Sequence, residues 1–145
     1  MIEVTMYTDG GCRGNPGIGG WGALINSGPH ERKLYGSALE TTNNRMEMTA
    51  ALEGLKALKK PCKVTLYTDS VYLRDGITKW LAGWKKNNWK TSAKKPVKNQ
   101  DIWEALDLEQ ARHQVDWRWV KGHAGIEGNE IADQLANQAM DEIRK

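Results

Sequence analysis

Hydrophobic and polar positions along the 145-residue chain fall into short segments of two periods. Residues 2–8 read as a strand, which the Asp9-Gly10-Gly11 sequence is expected to end in a turn. A glycine-rich loop and two further strand-like stretches, 20–27 and 31–38, follow at a spacing that suggests an antiparallel meander. From Asn44 the period changes: Met48, Ala51, Leu52, Leu55 and Leu58 recur on one helical face, and Pro61 closes the segment. Residues 64–68 form a short strand, and a helix starts at about Ser70. Short helical pieces are expected in the next segment, where Trp80, Leu81 and Trp84 share a face. A helix over 100–112, a strand over 115–120 and a helix over 127–143 complete the chain, with Ile131, Leu135 and Ala139 of the last helix facing inward. The order predicts an α/β fold, a five-stranded mixed sheet flanked by helices, in a single domain spanning 1–145 without repeats.

Two strand ends are alike. Met6-Tyr7-Thr8-Asp9-Gly10 and Leu66-Tyr67-Thr68-Asp69-Ser70 each run into an acidic residue. If those strands are parallel neighbours, both carboxylates emerge at one sheet edge, where open α/β sheets place ligands. Each acid also has a plain structural reading: Asp9 as a turn residue, Asp69 or Ser70 as a helix cap, Glu47 as a capping-box partner of Asn44, and Asp133 as solvated surface on the last helix. Together, four carboxylates at one edge would repel one another without a cation, which points to a hard divalent metal with oxygen ligands.

Charge changes the picture in one place. The formal net charge is +3, yet seven lysines and no acid lie between Gly76 and Gln100, leaving 14 basic and 18 acidic residues elsewhere. In this basic insert, about 79–98, Lys79, Lys85, Lys86, Lys90, Lys94, Lys95 and Lys98 interleave with Trp80, Trp84 and Trp89. A lysine run alone is commonly a solvated face, but tryptophans do not belong on one. A nucleic-acid surface is the better reading, with Lys meeting phosphates and Trp meeting sugar or base faces. The chain has seven Trp, four Tyr and no Phe, and a Trp retains a polar N–H suited to half-buried positions.

Other features narrow the field. Cys12 and Cys62 are isolated, so they read as reduced thiols of a cytoplasmic protein, and zinc is not expected. No apolar run approaches the ~20 residues of a membrane span, and no targeting segment is expected at Met1. Gly17-Ile18-Gly19-Gly20-Trp21-Gly22 matches a dinucleotide fingerprint in letters only, since strand-like residues follow it, and it reads as a tight glycine loop. His30 and His113 are expected at the surface. His123, within Gly122-His123-Ala124-Gly125, sits in a small-residue loop suited to proton transfer or ligand release.

Six motifs in order resemble type 1 ribonuclease H over nearly the whole chain. They are Tyr7-Thr8-Asp9-Gly10-Gly11-Cys12 with Gly14-Asn15-Pro16-Gly17, Thr42-Asn43-Asn44-Arg45-Met46-Glu47, Thr68-Asp69-Ser70, Gly83-Trp84-Lys85-Lys86 with Trp89-Lys90, Val120-Lys121-Gly122-His123, and Asn129-Glu130-Ile131-Ala132-Asp133. The resemblance implies an endonuclease that cuts the RNA strand of RNA–DNA hybrids and leaves 5′-phosphate and 3′-hydroxyl ends. Asp9, Glu47, Asp69 and Asp133 would hold two Mg²⁺ ions (or Mn²⁺), with His123 assisting. Implied substrate contacts are Cys12, Asn15, Thr42, Asn43 and Asn44 beside the site, and Trp80, Trp84, Lys85, Lys86, Trp89 and Lys98 in a basic handle gripping the DNA strand. The implied molecule works as a monomer.

The chain departs from the pattern at Gly11, where relatives often carry Ser, and at Val71, where Gln is common; it also stops soon after the last helix. None of these touches a metal ligand, so affinity and stability are affected before activity. The alternatives are a non-catalytic hybrid-binding module, which needs no four acids, and a nuclease of the same fold acting on another nucleic acid, against which the basic insert and the His123 loop argue.

Overall fold

The computed structural model describes residues 1–91, 93–121 and 127–143. Five strands form one mixed sheet in the order β3-β2-β1-β4-β5. β1 (Ile2–Arg13), β2 (Gly17–Ser27) and β3 (His30–Thr41) make the expected antiparallel meander. β4 (Cys62–Thr68) joins β1 in parallel, and β5 (Gln114–Trp119) joins β4 in parallel. Parallel neighbours need crossovers. Helix α1 (Asn43–Lys56) supplies the first, between β3 and β4. The second contains α2 (Val71–Asp75), a π-helical turn (Gly76–Trp80), α3 (Leu81–Lys86) and α4 (Gln100–Arg112). Helix α5 (Glu127–Ile143) is the last element among the described residues.

The core explains the periods. On one sheet face Val4, Met6, Val64 and Leu66 pack with Met48, Ala51 and Leu55 of α1 and with Trp103 and Leu106 of α4. Across the sheet α5 buries Ala132, Leu135, Ala136 and Ala139, whereas the expected core residue Ile131 is only half-buried.

Three expectations are corrected. β1 does not turn at Asp9, because Gly10, Gly11 and Cys12 continue the ladder opposite Trp21, Gly20 and Gly19. The glycine run at 17–22 is therefore strand rather than loop. Its glycines serve packing: a Cβ at Gly20 would lie 2.3 Å from the Ala136 carbonyl oxygen, and one at Gly22 would lie 2.5 Å from that of Ala132. Helix α5 thus rests directly on the β2 backbone. Third, His113 is buried, not at the surface. Its Nδ1 accepts the Cys62 N–H at 3.0 Å, leaving Nε2–H to donate to the Leu55 carbonyl at 3.2 Å. Burial, helped by the neighbouring Arg112 charge, lowers its pKa, so the ring is a neutral structural link between α1, α4 and β4. His30 is exposed, as expected.

Candidate active site

Parallel pairing of β1 with β4 runs in register to Tyr7 opposite Tyr67, whose rings stack with centroids 5.0 Å apart. Two residues further on, Asp9 and Asp69 reach the same end of the sheet. Glu47 arrives from α1, and glycine at position 10 makes this possible. A Cβ there would stand 2.3 Å from the Met46 carbonyl carbon, so helix and strand meet backbone to backbone. The Gly10 N–H then donates to Glu47 Oε1 at 2.6 Å.

Carboxylate oxygens of Asp9, Glu47 and Asp69 lie within 4.8 Å of one another. Asp9 and Glu47 are buried and Asp69 is half-buried. Asp133, half-buried on α5, hydrogen-bonds with Asp9 and faces the same cavity of about 230 Å³, which Cys12 and Asn43 also line. The helix-cap roles considered for Glu47 and Asp69 fall to hydroxyl residues, in one case to Ser70, the alternative to Asp69. Thr42 caps α1, its Oγ1 accepting the Arg45 N–H at 3.3 Å, and Ser70 caps α2, its Oγ accepting from Leu73 at 3.0 Å.

Crowding like charges in a dry site has a clear electrostatic result. Burial first, then the Asp69 charge and the hydrogen bond with Asp133, push the Asp9 pKa up to about 8. Burial and the charges of Asp9 and Asp69 hold Glu47 well above the ordinary glutamate value. A centre of this kind prefers either protons or a cation, and its all-oxygen donors fit a hard divalent ion.

Several proposed substrate contacts gather beside it. Asn15 Oδ1 accepts the Asn43 N–H at 3.2 Å, tying the β1–β2 turn to the start of α1, and Cys12 Sγ lies 3.3 Å from the Thr41 carbonyl oxygen. Asn43 is exposed; Thr42 and Asn44 are half-exposed.

The handle is built on aromatic contacts. Trp84 packs on Trp80, Trp89 and Trp103 with centroid separations of 5.7, 6.5 and 5.4 Å. Trp84 and Trp89 are half-buried against the core, while Trp80 keeps 38% of its surface exposed. The tryptophans therefore anchor the handle and the lysines project from it. Lys86, Lys90 and Lys94 rim an open cavity of about 720 Å³, Lys98 is exposed, and Lys85 is tethered to Asp107 of α4 at 3.2 Å.

One connection was not legible in the sequence. Arg45 reaches from the start of α1 to Asn99 at 3.1 Å and to both carboxylate oxygens of Asp101 at 2.8 and 3.1 Å. Asn99 in turn donates to the Tyr72 hydroxyl at 3.2 Å, so the handle's exit is fastened to the helix that carries Glu47. Arg45 falls inside a quoted motif, but its partners are too distant in sequence for any periodicity to reveal. His123 lies outside the described residues.

Known proteins resemble this chain over nearly its whole length. The family model for RNase H matches residues 1–141. The chain is 66% identical over 143 residues to the ribonuclease H of Hydrogenovibrio crunogenus, covering 99% of each chain. It is 58% identical over 142 residues to that of Bordetella pertussis, covering 98% of this chain and 92% of the other. Among solved structures, LC9-RNase H1, a type 1 RNase H with the type 2 active-site motif, superposes with a TM-score of 0.88 at 33% identity, over 97% of this chain and 73% of that one. LC11-RNase H1, solved in complex with RNA/DNA hybrid, shares the fold with a TM-score of 0.73 at 23% identity, over 98% and 99% of the two chains.

Proposed function

The chain belongs to the RNase H family, and on that premise we propose that Asp9, Glu47, Asp69 and Asp133 bind two Mg²⁺ ions (or Mn²⁺) and cut the RNA strand of an RNA–DNA hybrid there. It is a ribonuclease H, an endonuclease that degrades RNA in RNA–DNA hybrids. The observation that carries the site assignment is the meeting of three carboxylates from β1, α1 and the end of β4 within 4.8 Å.

The donor set fits divalent metal: every candidate ligand is a carboxylate, and the raised pKa of Asp9 and Glu47 reports a field that a cation relieves. When bound, two such ions supply a water acidic enough to attack phosphorus and a counter-charge for the leaving 3′-oxygen. The chain's own groups do the rest. Gly10 N–H holds Glu47 in one orientation, and the packing of strand and helices buries Asp9 and Glu47. Asn15, Thr42, Asn43 and Asn44 would read the hybrid's minor groove and a DNA phosphate, with Cys12 as a further contact beside them. Hybrid preference follows from reading 2′-hydroxyls on one strand and DNA sugar geometry on the other. Lys86, Lys90 and Lys98, steadied by the Trp80, Trp84 and Trp89 cluster and joined by Lys85, grip the DNA strand. His123, which lies outside the described residues, would assist in the family pattern. The cytoplasm is the expected compartment, and among the described residues no helix is long and apolar enough to cross a membrane.

End-labelled RNA–DNA hybrid, duplex DNA and duplex RNA, each incubated with Mg²⁺ or with EDTA, test the reading. Cleavage of the RNA strand of the hybrid alone, stopped by EDTA, is expected. Equal cutting of duplex DNA, or full activity in EDTA, overturns it.

A further inference from the structure

Asp69 is the most exposed of the three converging carboxylates and sits just past the end of β4, where the strand ladder no longer fixes it. Its peptide is held from outside. β5 continues beside β4, with the Val120 N–H donating to the Thr68 carbonyl at 2.9 Å. The residue before, Trp119, turns its indole toward the site, and Nε1–H donates to the Asp69 carbonyl at 3.2 Å. The indole is itself held: the Arg74 guanidinium of α2 lies 4.8 Å from the ring centroid, and Arg74 Nε pairs with Asp75 Oδ1 at 3.2 Å. On the other side, Ser70 N–H donates to Thr68 Oγ1 at 3.1 Å, and Ser70 caps α2. The turn carrying Asp69 is thus fastened at each of its peptides. Two of these fasteners, the Val120 N–H and the Trp119 indole, reach in from the end of β5, and among the described hydrogen bonds Trp119 is the one that meets the Asp69 carbonyl.

We infer that Trp119, clamped by Arg74, is a positioning residue for Asp69, fixing its carboxylate to receive the metal. The inference rests on Asp69 being a metal ligand. Three features support it. Trp119 keeps 39% of its surface exposed, a poor place for a tryptophan whose purpose is core packing. Its N–H meets a backbone carbonyl, which fixes a main-chain position rather than a side chain that could swing away. The guanidinium on its face restrains rotation of the ring, in a stack that Lys does not reproduce. Groups that orient a metal ligand without touching the metal commonly change affinity or activity by about 10–100-fold when removed.

The test uses the full chain with Trp119→Phe, which keeps an aromatic ring but lacks the N–H, and Arg74→Gln, which removes the stacked cation. Mn²⁺ binding by calorimetry without nucleic acid, kcat and KM on the hybrid, and thermal melts in EDTA are measured for each. Trp119→Phe is expected to weaken Mn²⁺ binding and lower kcat, each by about tenfold. KM for the hybrid and the EDTA melting temperature should stay near wild type. Arg74→Gln should show the same pattern at smaller size. Wild-type Mn²⁺ affinity and kcat in Trp119→Phe overturn the inference, as does a loss that follows the melting temperature with metal binding intact. Asp69→Asn is the control for the premise. If it binds Mn²⁺ and cleaves like wild type, the site reading fails; if it is inactive and Trp119→Phe is normal, only the positioning role fails.

Discussion

At the sheet edge, carboxylates from β1, α1 and the end of β4 are forced together and kept largely from water, whereas residues 76–99 spread seven lysines over an exposed insert. In the proposed reading both regions serve one polyanion and its metal, yet each carries a different strain. The carboxylate centre carries electrostatic strain, visible in the raised pKa values of Asp9 and Glu47. Its backbone is unremarkable strand and helix. The handle shows the reverse. Most of its lysines are exposed, but Asn88, Trp89, Lys94 and Asn99 all take positive φ, between 59° and 62°. Such backbone is tolerated by Asn and disfavoured for a residue as large as Trp. A site that must hold cations stores like-charge repulsion; a site that must present cations to phosphate stores only conformational strain.

The largest effect that can break this comparison is at Asp9. Asp9→Asn should lower hybrid cleavage by about a hundredfold to a thousandfold, by analogy with loss of one electrostatic stabiliser. The same change should stabilise the metal-free fold. A group whose folded pKa is raised contributes stability that is present below its unfolded value, 3.8, and lost as pH rises to about 8. Between pH 5 and 8 the difference in unfolding free energy between Asp9→Asn and wild type, in EDTA, should therefore grow by about 1.4 kcal/mol per pH unit at most. Comparing the two proteins cancels His113, whose lowered pKa acts in the opposite direction. Added Mg²⁺ should raise the wild-type melting point far more than the variant's. A pH-independent difference would remove the electrostatic account of the centre.

Next in size is Gly10→Ala, which tests the backbone contact that delivers Glu47. The new Cβ would meet the Met46 backbone, which cannot rotate away as a side chain can. Overpacking of this kind costs about 1–3 kcal/mol, occasionally more, and here it must also spread β1 from α1. Urea melts should show the loss, and activity at full folding should fall with it. Wild-type activity in a folded Gly10→Ala chain would show that Glu47 does not depend on this approach.

The handle should answer through binding instead. Lys86→Ala with Lys90→Ala should raise KM for the hybrid while leaving kcat at saturation near wild type. Each lost phosphate contact should also flatten the slope of log K against log salt by roughly 0.9 on a B-form duplex. Lys85→Ala alone should do less, because that lysine is already paired with Asp107. An unchanged salt slope would reduce the lysines to a solvated face.

This division also explains what the sequence could and could not tell. The five-stranded mixed sheet and the antiparallel meander follow from a change of period, a local signal, and the repeated strand ends raised the parallel β1–β4 pair as a condition that the structure meets. The extension of β1 past Asp9 and the conversion of the glycine run into β2 were missed. Glycine reads as a breaker, and only the helix lying on Gly20 and Gly22 shows why it sits in a strand. His113 was misplaced for a similar reason: its donor and acceptor partners, Cys62 and Leu55, lie far away in sequence. In the handle the lysines declare themselves by composition, but the packing of Trp84 on Trp103 of α4 does not.

The smallest expected effect separates strain the handle needs from slack it merely tolerates. Gly83 lies inside α3, and a Cβ built there meets nothing within 4 Å. A glycine within a helix is less favourable than alanine by roughly 0.5–1 kcal/mol, because the unfolded chain loses more freedom on ordering it. Gly83→Ala should therefore raise stability by about that amount, in contrast to Gly10→Ala, where the same methyl meets backbone. Thermal and urea melts of the two variants, side by side, read the contrast directly. The hybrid supplies the second half of the test. If α3 meets the DNA strand through its lysine side chains, as the exposed Lys86 suggests, then KM should be unchanged in Gly83→Ala. A raised KM in a stabilised variant would instead mean that the nucleic acid approaches the α3 backbone closely enough to need a bare Cα. The handle's contact would then be a fitted surface rather than a set of flexible charges.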